Sequence, residues 1–155
     1  MNTLRTRLAH GGWPLLPLRL LVGYGFAAHG YAKLARGPAN FAVILAAIGV
    51  PLPEPIAWIT TLLELLGGVA LVLGAAVALL SVPLVIVMLT ALFGVHLRYG
   101  FSSIRLKGFG PSGAEFGPVG YELNLLYIAG LIVLALSAAS PLSFDRWLAS
   151  KRRRQ

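Results

Sequence analysis

Cysteine is absent from this 155-residue chain, and acidic residues are scarce, with five Asp and Glu against thirteen Lys and Arg. Without a thiol the chain cannot exchange disulfides, use a thiol nucleophile, or hold a cysteine-ligated zinc ion or iron–sulfur cluster. Charged residues of both signs make up only 12% of the chain, whereas a soluble globular domain has about 25%. This shortage of charge excludes an ordinary soluble domain and indicates a membrane protein.

The residues that are present make the chain apolar and basic. Hydrophobic residues account for 57% of it, the mean hydropathy is +0.81 and the formal net charge is +8. In a membrane protein this balance indicates orientation signals and contact with anionic lipid headgroups, ahead of any contact with nucleic acid. We expect one all-α transmembrane domain over residues 1–155, in contact with membrane lipids.

Four apolar runs are long enough to span a bilayer, which takes about 20 helical residues. They predict a polytopic four-helix bundle with spans at about 14–35, 54–77, 78–98 and 121–140. Pro38 to Val50 is apolar at helical spacing but too short to span, so we expect a short interfacial helix after the first span, with a re-entrant helix as the alternative. Arg98 to Gly120 is rich in glycine and proline and is expected to be a loop. Residues 141–155 form a basic tail that ends in KRRRQ.

Small residues recur along two of these spans. The first span has Gly23 with Ala27, and Gly25 with Ala28, and the second has the Gly67-Gly68 pair. Residues this small allow neighbouring helices to approach closely in a membrane. We therefore expect helix contacts at these positions.

Basic residues outside the spans favour cytoplasmic termini under the positive-inside rule. Four spans place both termini and the second connection on one side, with seven basic residues: Arg5, Arg7, Arg146, Lys151, Arg152, Arg153 and Arg154. The other side holds five, namely Lys33, Arg36, Arg98, Arg105 and Lys107. Arg5 and Arg7 precede an apolar run as in a signal peptide, but no A-x-A site follows, so we expect a retained first helix.

Ionisable residues interrupt the first span, where Leu18 to Ala35 carries Arg19, His29 and Lys33. His29 and Lys33 are four residues apart and share one side of a helix. Ionisable groups at membrane depth are costly and usually face a bundle interior or a wet cavity. Because the spans alternate in direction, polar residues of all four fall in the outer half, and we expect them to form one binding pocket: His29, Lys33, Glu64, His96, Glu122 and Asn124. Arg19 lies near the cytoplasmic end, where we expect it to reach the headgroups.

Structural roles remain open for most of these residues. Lys33 can extend to the outer interface, and His96 can be an interfacial histidine at a helix end. Glu122 can be a first-turn carboxylate that the helix dipole favours. Asn124 can form a hydrogen bond between helices.

Glu64 is the hardest of the six residues to explain as purely structural. A buried carboxylate must either be protonated or pair with a cation. His29 and Lys33 are the cations at a similar depth. A structural ion pair with either of them also remains open.

Five stretches, taken in order, resemble the DoxX family of small four-helix membrane proteins. They are RLLVGYGFAAHGYAKL (Arg19 to Leu34), the Phe41 segment ending in IGVPLP, LLELLGGVALVLG (Leu62 to Gly74), VMLTALFGVHLRYGF (Val87 to Phe101) and GYELNLLYIAGL (Gly120 to Leu131). The family motifs fall on His29, Gly30 and Lys33, on Glu64, Gly67 and Gly68, on His96, and on Glu122 and Asn124.

The resemblance implies a multi-pass protein of the bacterial inner membrane. Some DoxX members are subunits of thiosulfate:quinone oxidoreductase, and others are linked to membrane complexes that handle oxidative or thiol stress. Related proteins with a cysteine pair would perform dithiol chemistry, which this chain cannot perform in that way because it has no cysteine.

Three functions compete for the predicted pocket. The first is a membrane oxidoreductase subunit that binds a quinone, with His29 and Glu64 as the candidates for proton delivery and Lys33 as a ligand for a carbonyl oxygen. The chain shows no electron donor, so a protein partner or a bound cofactor would supply the electrons, and whether this chain is itself an enzyme stays open. The second is a non-enzymatic assembly protein that holds a partner enzyme or a secreted product through its long loop and basic tail. The third is a small transporter or lipid-binding protein, for which we expect a homodimer.

Metal, haem and nucleic acid are less favoured partners. His29, His96, Glu64 and Glu122 are of the types that bind metals, but the two histidines lie on separate helices and show no ligand spacing. Haem ligation by the same two histidines is a further alternative. Arg152 to Arg154 could touch nucleic acid, but three arginines beside a span are ordinarily topology signals. We therefore expect neither a metal nor nucleic acid.

Overall fold

The structure, a computed structural model, describes residues 12–152, and Arg5, Arg7, Arg153 and Arg154 lie outside these. The described chain is mostly helical, with one small sheet. The helices are α1 (Leu15–Arg36), α2 (Pro38–Ala47), α3 (Pro53–Leu73), α4 (Val77–Ala91), α5 (Glu122–Leu136) and α6 (Phe144–Arg152), and the strands are β1 (Leu106–Gly110) and β2 (Gly113–Phe116).

Two of these helices are long and apolar enough to cross a membrane. The first is α3. The second is the continuous helical stretch Val77–Tyr99, which consists of α4 and the π-helical and 3₁₀ turns that follow it. α1 is as long, at 22 residues, but it carries Arg19, His29 and Lys33. α5 has 15 residues, which corresponds to a length of about 22 Å.

The connection between α3 and α4 is a tight hairpin, as the sequence predicts. α3 was expected to continue to about Val77 but ends at Leu73. Gly74 adopts the left-handed conformation (φ 67°) and its N–H donates to the Leu71 carbonyl at 3.0 Å, which closes the helix. Ala76 is also left-handed, at φ 51°, so the chain reverses direction within three residues.

α5 is shorter than predicted, because it ends at Leu136 rather than near residue 140. Ser137 is extended, with φ −91° and ψ 157°. Ser140 precedes Pro141, and a residue in that position disfavours the helical conformation. The segment after α5 instead turns back toward α1.

The prediction of a plain loop from Arg98 to Gly120 is wrong in part. β1 and β2 form an antiparallel hairpin in which Leu106 pairs with Phe116 and Gly110 with Gly113. Pro111 and Ser112 make the turn, and Gly113 follows at φ 116°. Such a φ value favours glycine, so the Pro-Ser-Gly order was the available signal for this turn.

One hydrophobic core joins α1, α3, α4 and α5. Its buried members are Val22, Phe26, Leu71, Leu84, Leu131 and Leu134. A second, smaller cluster places Ala42 and Leu45 of α2 against Ala57 of α3. The predicted short helix after the first span is therefore present and packs on the first half of α3.

The helical winding changes immediately after α4. Residues Leu92–His96 form a π-helical turn and Leu97–Tyr99 a 3₁₀ turn. Gly94 lies in the π turn against Ile48, the residue that follows α2, and an added Cβ would stand 2.7 Å from Cδ1 of Ile48. Single π turns are common at functional sites, and this one carries His96.

Candidate functional site

A buried ion pair lies where α1 ends beside α3. Lys33 Nζ donates a hydrogen bond to Glu64 Oε2, and the Glu64 side chain is only 2% exposed while that of Lys33 is 22% exposed. Gly30, one turn before Lys33, lies directly against the backbone of Leu65. This close approach brings the lysine within reach of the carboxylate. We call this region the Lys33 end of the helical core.

α2 supplies a second contact to the lysine. Lys33 Nζ lies 4.5 Å from the centroid of the Phe41 ring, a distance at which a cation is attracted to the ring face. Phe41 packs against the cluster that joins α2 to α3. The ammonium group is therefore held between the Glu64 carboxylate and an aromatic ring, which fixes its position.

Thr61 adds an unpaired polar group beside this ion pair. Its residue is 0% exposed, and among the described residues its Oγ1 has no hydrogen-bond partner. Thr61 lies three residues before Glu64, so both face the same side of α3. Buried hydroxyls are nearly always hydrogen-bonded, so this one lacks the partner that such a group usually has.

Two hydroxyls of α4 do not behave in this way. Ser81 and Thr90 of α4 each donate to the carbonyl four residues earlier, at 2.8 Å and 3.0 Å respectively. That local bond is the usual way for a helical hydroxyl to be satisfied. The contrast makes Thr61 the residue that sequence reasoning missed. The signal for it was its spacing from Glu64.

The predicted residues near α4 and α5 bond mainly to backbone. His96 Nδ1 lies 2.9 Å from the Val119 carbonyl oxygen, and because a carbonyl only accepts, Nδ1 carries the proton here. Glu122 accepts a hydrogen bond from the Ser103 N–H at 3.0 Å. Asn124 is buried, and its Nδ2 lies 3.5 Å from the Met88 carbonyl oxygen, which is long for a hydrogen bond. His96 and Glu122 thus hydrogen-bond to the backbone of the segment that connects α4 to α5.

His29 occupies a different environment from the ion pair. It is four residues before Lys33, but its side chain is exposed on α1 and forms no hydrogen bond with any residue in the range 12–152. The structure therefore brings Lys33 and Glu64 together, and a single pocket that joins all six residues remains a prediction. Across the described residues, no group of three or more His, Cys, Asp and Glu side chains comes together.

A family model described as DoxX matches residues 14–97, which is more than half of the chain. The chain belongs to the DoxX family. Comparisons with curated proteins and with solved structures give no match. The matched residues of this DoxX protein include Lys33, Glu64 and His96, whereas Glu122 and Asn124 lie beyond them. Family membership and two membrane-length apolar helices make this a membrane protein.

The prediction for Arg19 of this DoxX protein is wrong. The arginine was expected to reach lipid headgroups, yet it is buried, with 2% of its surface exposed. Its Nη1 donates to Ser140 Oγ at 2.6 Å, and its Nη2 donates to the Leu142 carbonyl at 2.9 Å. The turn after α5 encloses the guanidinium, so its polar partners come from the chain itself. We call this opposite end of the helical core the Arg19 end.

Proposed function

We propose that this DoxX protein is a subunit of a membrane oxidoreductase system and binds a quinone-like or lipid-like small molecule at the Lys33 end. The observation that carries the proposal is the buried, unpaired hydroxyl of Thr61 beside the Lys33–Glu64 pair. A carbonyl oxygen is the group that such a hydroxyl and an ammonium group would bind together.

The proposal includes a multi-pass arrangement in the bacterial inner membrane. α1, α3, α4 and α5 would each span the bilayer, with cytoplasmic termini, the Lys33 end in the outer half and α2 near the outer interface. Support comes from the core that these four helices share. Their outward faces carry exposed apolar side chains such as Leu21, Leu79 and Leu126, which suit contact with acyl chains.

Each polar group at the Lys33 end would have its own role in binding a quinone. Thr61 and Lys33 would donate hydrogen bonds to a quinone carbonyl oxygen, and Glu64 would balance the lysine charge. Conversion of the quinone to a quinol takes two electrons and two protons. A protein partner or a bound cofactor would supply the electrons, since the chain itself shows no electron donor. His29 and Glu64 are the proton-exchange candidates.

Binding of a short-chain ubiquinone analogue to the purified protein tests this proposal. We expect Thr61→Val and Glu64→Gln to weaken binding at least ~10-fold, because the first removes a buried hydroxyl from the site and the second removes the charge of the buried carboxylate. Glu54→Gln is the matched control, since Glu54 is exposed in the first turn of the same helix. Binding by both site variants that equals that of the wild-type protein would contradict the proposal.

A second function, docking of a partner protein, is favoured by the hairpin. Ile104, Phe109 and Phe116 are all exposed, with Phe109 at 82%, and grouped exposed apolar side chains mark interaction sites. In this case the chain would be a non-enzymatic assembly protein. Pull-down from native membranes separates the two: a partner lost with Phe109→Ser but retained with Glu64→Gln favours docking. A partner retained by both variants would contradict it.

A further inference from the structure

α6 carries an apolar face that the rest of the described chain leaves uncovered. Of the six helices α1 to α6, it is the one with no buried residue. Its side chains Phe144, Trp147 and Leu148 are between 38% and 52% exposed. Their spacing of three and four residues places them on one side of the helix, and the rings of Phe144 and Trp147 lie 5.3 Å apart between centroids. This exposed face needs a partner outside the described chain.

The first turn of α6 is fixed to the Arg19 end of the helical core. Asp145 Oδ1 accepts from the Ala76 N–H at 2.8 Å, and Oδ2 accepts from the Val77 N–H at 3.0 Å. The Asp145 N–H donates to the Gly74 carbonyl at 3.0 Å, and Ser143, just before the helix, is buried. These bonds hold α6 beside the α3–α4 connection, at the level where two apolar helices end.

The charge that α6 presents outward is positive. Asp145 is its one acidic residue, and that carboxylate is engaged by the start of α4. The other charged residues of the helix are Arg146, Lys151 and Arg152. Lys151 Nζ lies 4.2 Å from the centroid of the Trp147 ring, so a cation borders the apolar face. Aromatic side chains combined with basic ones are typical of a helix that lies in the membrane interface.

The tryptophans give a second, independent indication of where the membrane interface lies. Trp13 is 45% exposed and lies near the turn after α5, because a Cβ on its neighbour Gly12 would stand 3.5 Å from Cα of Ser140. Trp13 and Trp147 are therefore both at the Arg19 end. Trp58, which is 49% exposed, lies near the start of α3, toward the Lys33 end. Tryptophan is enriched at both membrane–water interfaces, so this distribution indicates an interface at the level of α6.

We propose that α6 docks on an anionic lipid surface at the Arg19 end. Phe144, Trp147 and Leu148 would enter the headgroup region, and Lys151 and Arg152 would bind lipid phosphate groups. An anionic surface matches the outward charge of the helix as well as its apolar face, because basic residues near such a surface are attracted to it. The inference rests on the multi-pass arrangement proposed above and is independent of quinone binding.

Site-directed spin labelling of the full chain tests the proposal, because a protein without cysteine takes a nitroxide only at an introduced one. Leu148→Cys labels the apolar face, and Ser150→Cys, two residues on, labels another side of the helix. The labelled proteins are placed in nanodiscs of phosphatidylcholine, with or without phosphatidylglycerol, and collisions with a water-soluble nickel complex are measured. We expect phosphatidylglycerol to lower the nickel accessibility of the Leu148 label at least ~5-fold, the attraction of about one basic residue to the surface. The Ser150 label should stay accessible in both.

Charge variants and a second label separate the possible outcomes. Lys151→Gln combined with Arg152→Gln should abolish the effect of phosphatidylglycerol, whereas Lys107→Gln, the same change on exposed β1, should leave it intact. Shielding of the Leu148 label that is equal in the two lipid mixtures, or that survives the double substitution, would assign the face to a protein partner or a neutral surface and overturn the proposal. A label at Leu126, exposed on α5, reports on the spans. If that label is shielded and the Leu148 label is not, α6 docking alone fails; if neither is shielded, the multi-pass arrangement fails with it.

Discussion

Gly23 of α1 and Gly68 of α3 lie backbone against backbone. A Cβ atom on Gly68 would stand 2.6 Å from the Gly23 carbonyl oxygen, and one on Gly23 would stand 2.8 Å from the Gly68 oxygen. No real side chain fits at such distances. The two helices are antiparallel, so the same close approach continues to Gly30 and Leu65, and from there to the Lys33–Glu64 pair.

The glycine contact leads to a prediction about stability. Gly68→Ala should lower the free energy of unfolding by ~1–3 kcal/mol, the usual cost of overpacking, because the new methyl group meets the backbone of α1. Gly67→Ala is the matched control, since its Cβ would lie 3.7 Å from Leu84 in ordinary contact. Thermal unfolding in detergent measures both. Equal unfolding temperatures for the two variants would contradict the packing described.

Thr61→Val separates a binding role from a structural one. The substitution removes a buried hydroxyl that has no partner among the described residues, so the free energy of unfolding should stay the same or rise by ~1 kcal/mol. Binding of the quinone analogue should fall in the same protein. A clear loss of stability on this substitution would show that the hydroxyl has a structural partner.

The two members of the ion pair should respond differently to substitution. Lys33→Met leaves a 2% exposed carboxylate without its cation and should cost roughly 3 kcal/mol. Glu64→Gln keeps an oxygen that can accept from the 22% exposed lysine, so it should cost about 1 kcal/mol. Chemical unfolding of both variants in detergent compares them. The reverse order would mean that Lys33, rather than Glu64, is the buried partner.

Asp145 should control the start of α4 from a distance in the sequence. Asp145→Ala removes both acceptors for the Ala76 and Val77 N–H groups and should cost ~1 kcal/mol, as loss of an N-cap does. Asp145→Asn retains one acceptor and should cost less. Hydrogen exchange at these two amides reports the effect directly. Unchanged exchange in the alanine variant would rule out the capping role.

Local sequence signals predicted much of the helical framework. The adjacent spans 54–77 and 78–98 predicted a tight hairpin, and small residues predicted close helix contacts, which the structure places between α1 and α3. A carboxylate inside an apolar run predicted that Glu64 is either protonated or paired with a cation, and the structure pairs it with Lys33. Each of these follows from what one residue type requires of its surroundings. The sequence patterns were therefore sufficient for them.

Contacts between distant segments could not be predicted in the same way. The Arg19–Ser140 bond joins residues 121 positions apart, and it depends on where α5 ends. The unpaired state of Thr61 depends on every neighbour of its hydroxyl, including those on other helices. His29 was grouped with Lys33 from spacing alone, but the rotation of α1 against its neighbours leaves its side chain exposed.

Photo-crosslinking in native membranes tests the central claim most directly, namely that the Lys33 end holds a small molecule. A quinone that carries a diazirine would be activated by light, and labelled peptides would be mapped by mass spectrometry. We predict labelling of α3 around Thr61 and Glu64 and of α1 or α2 around Lys33 and Phe41, reduced by unlabelled quinone and by Thr61→Val. Labelling spread over the outward faces of the helices, and unaffected by either competition or substitution, would contradict the account.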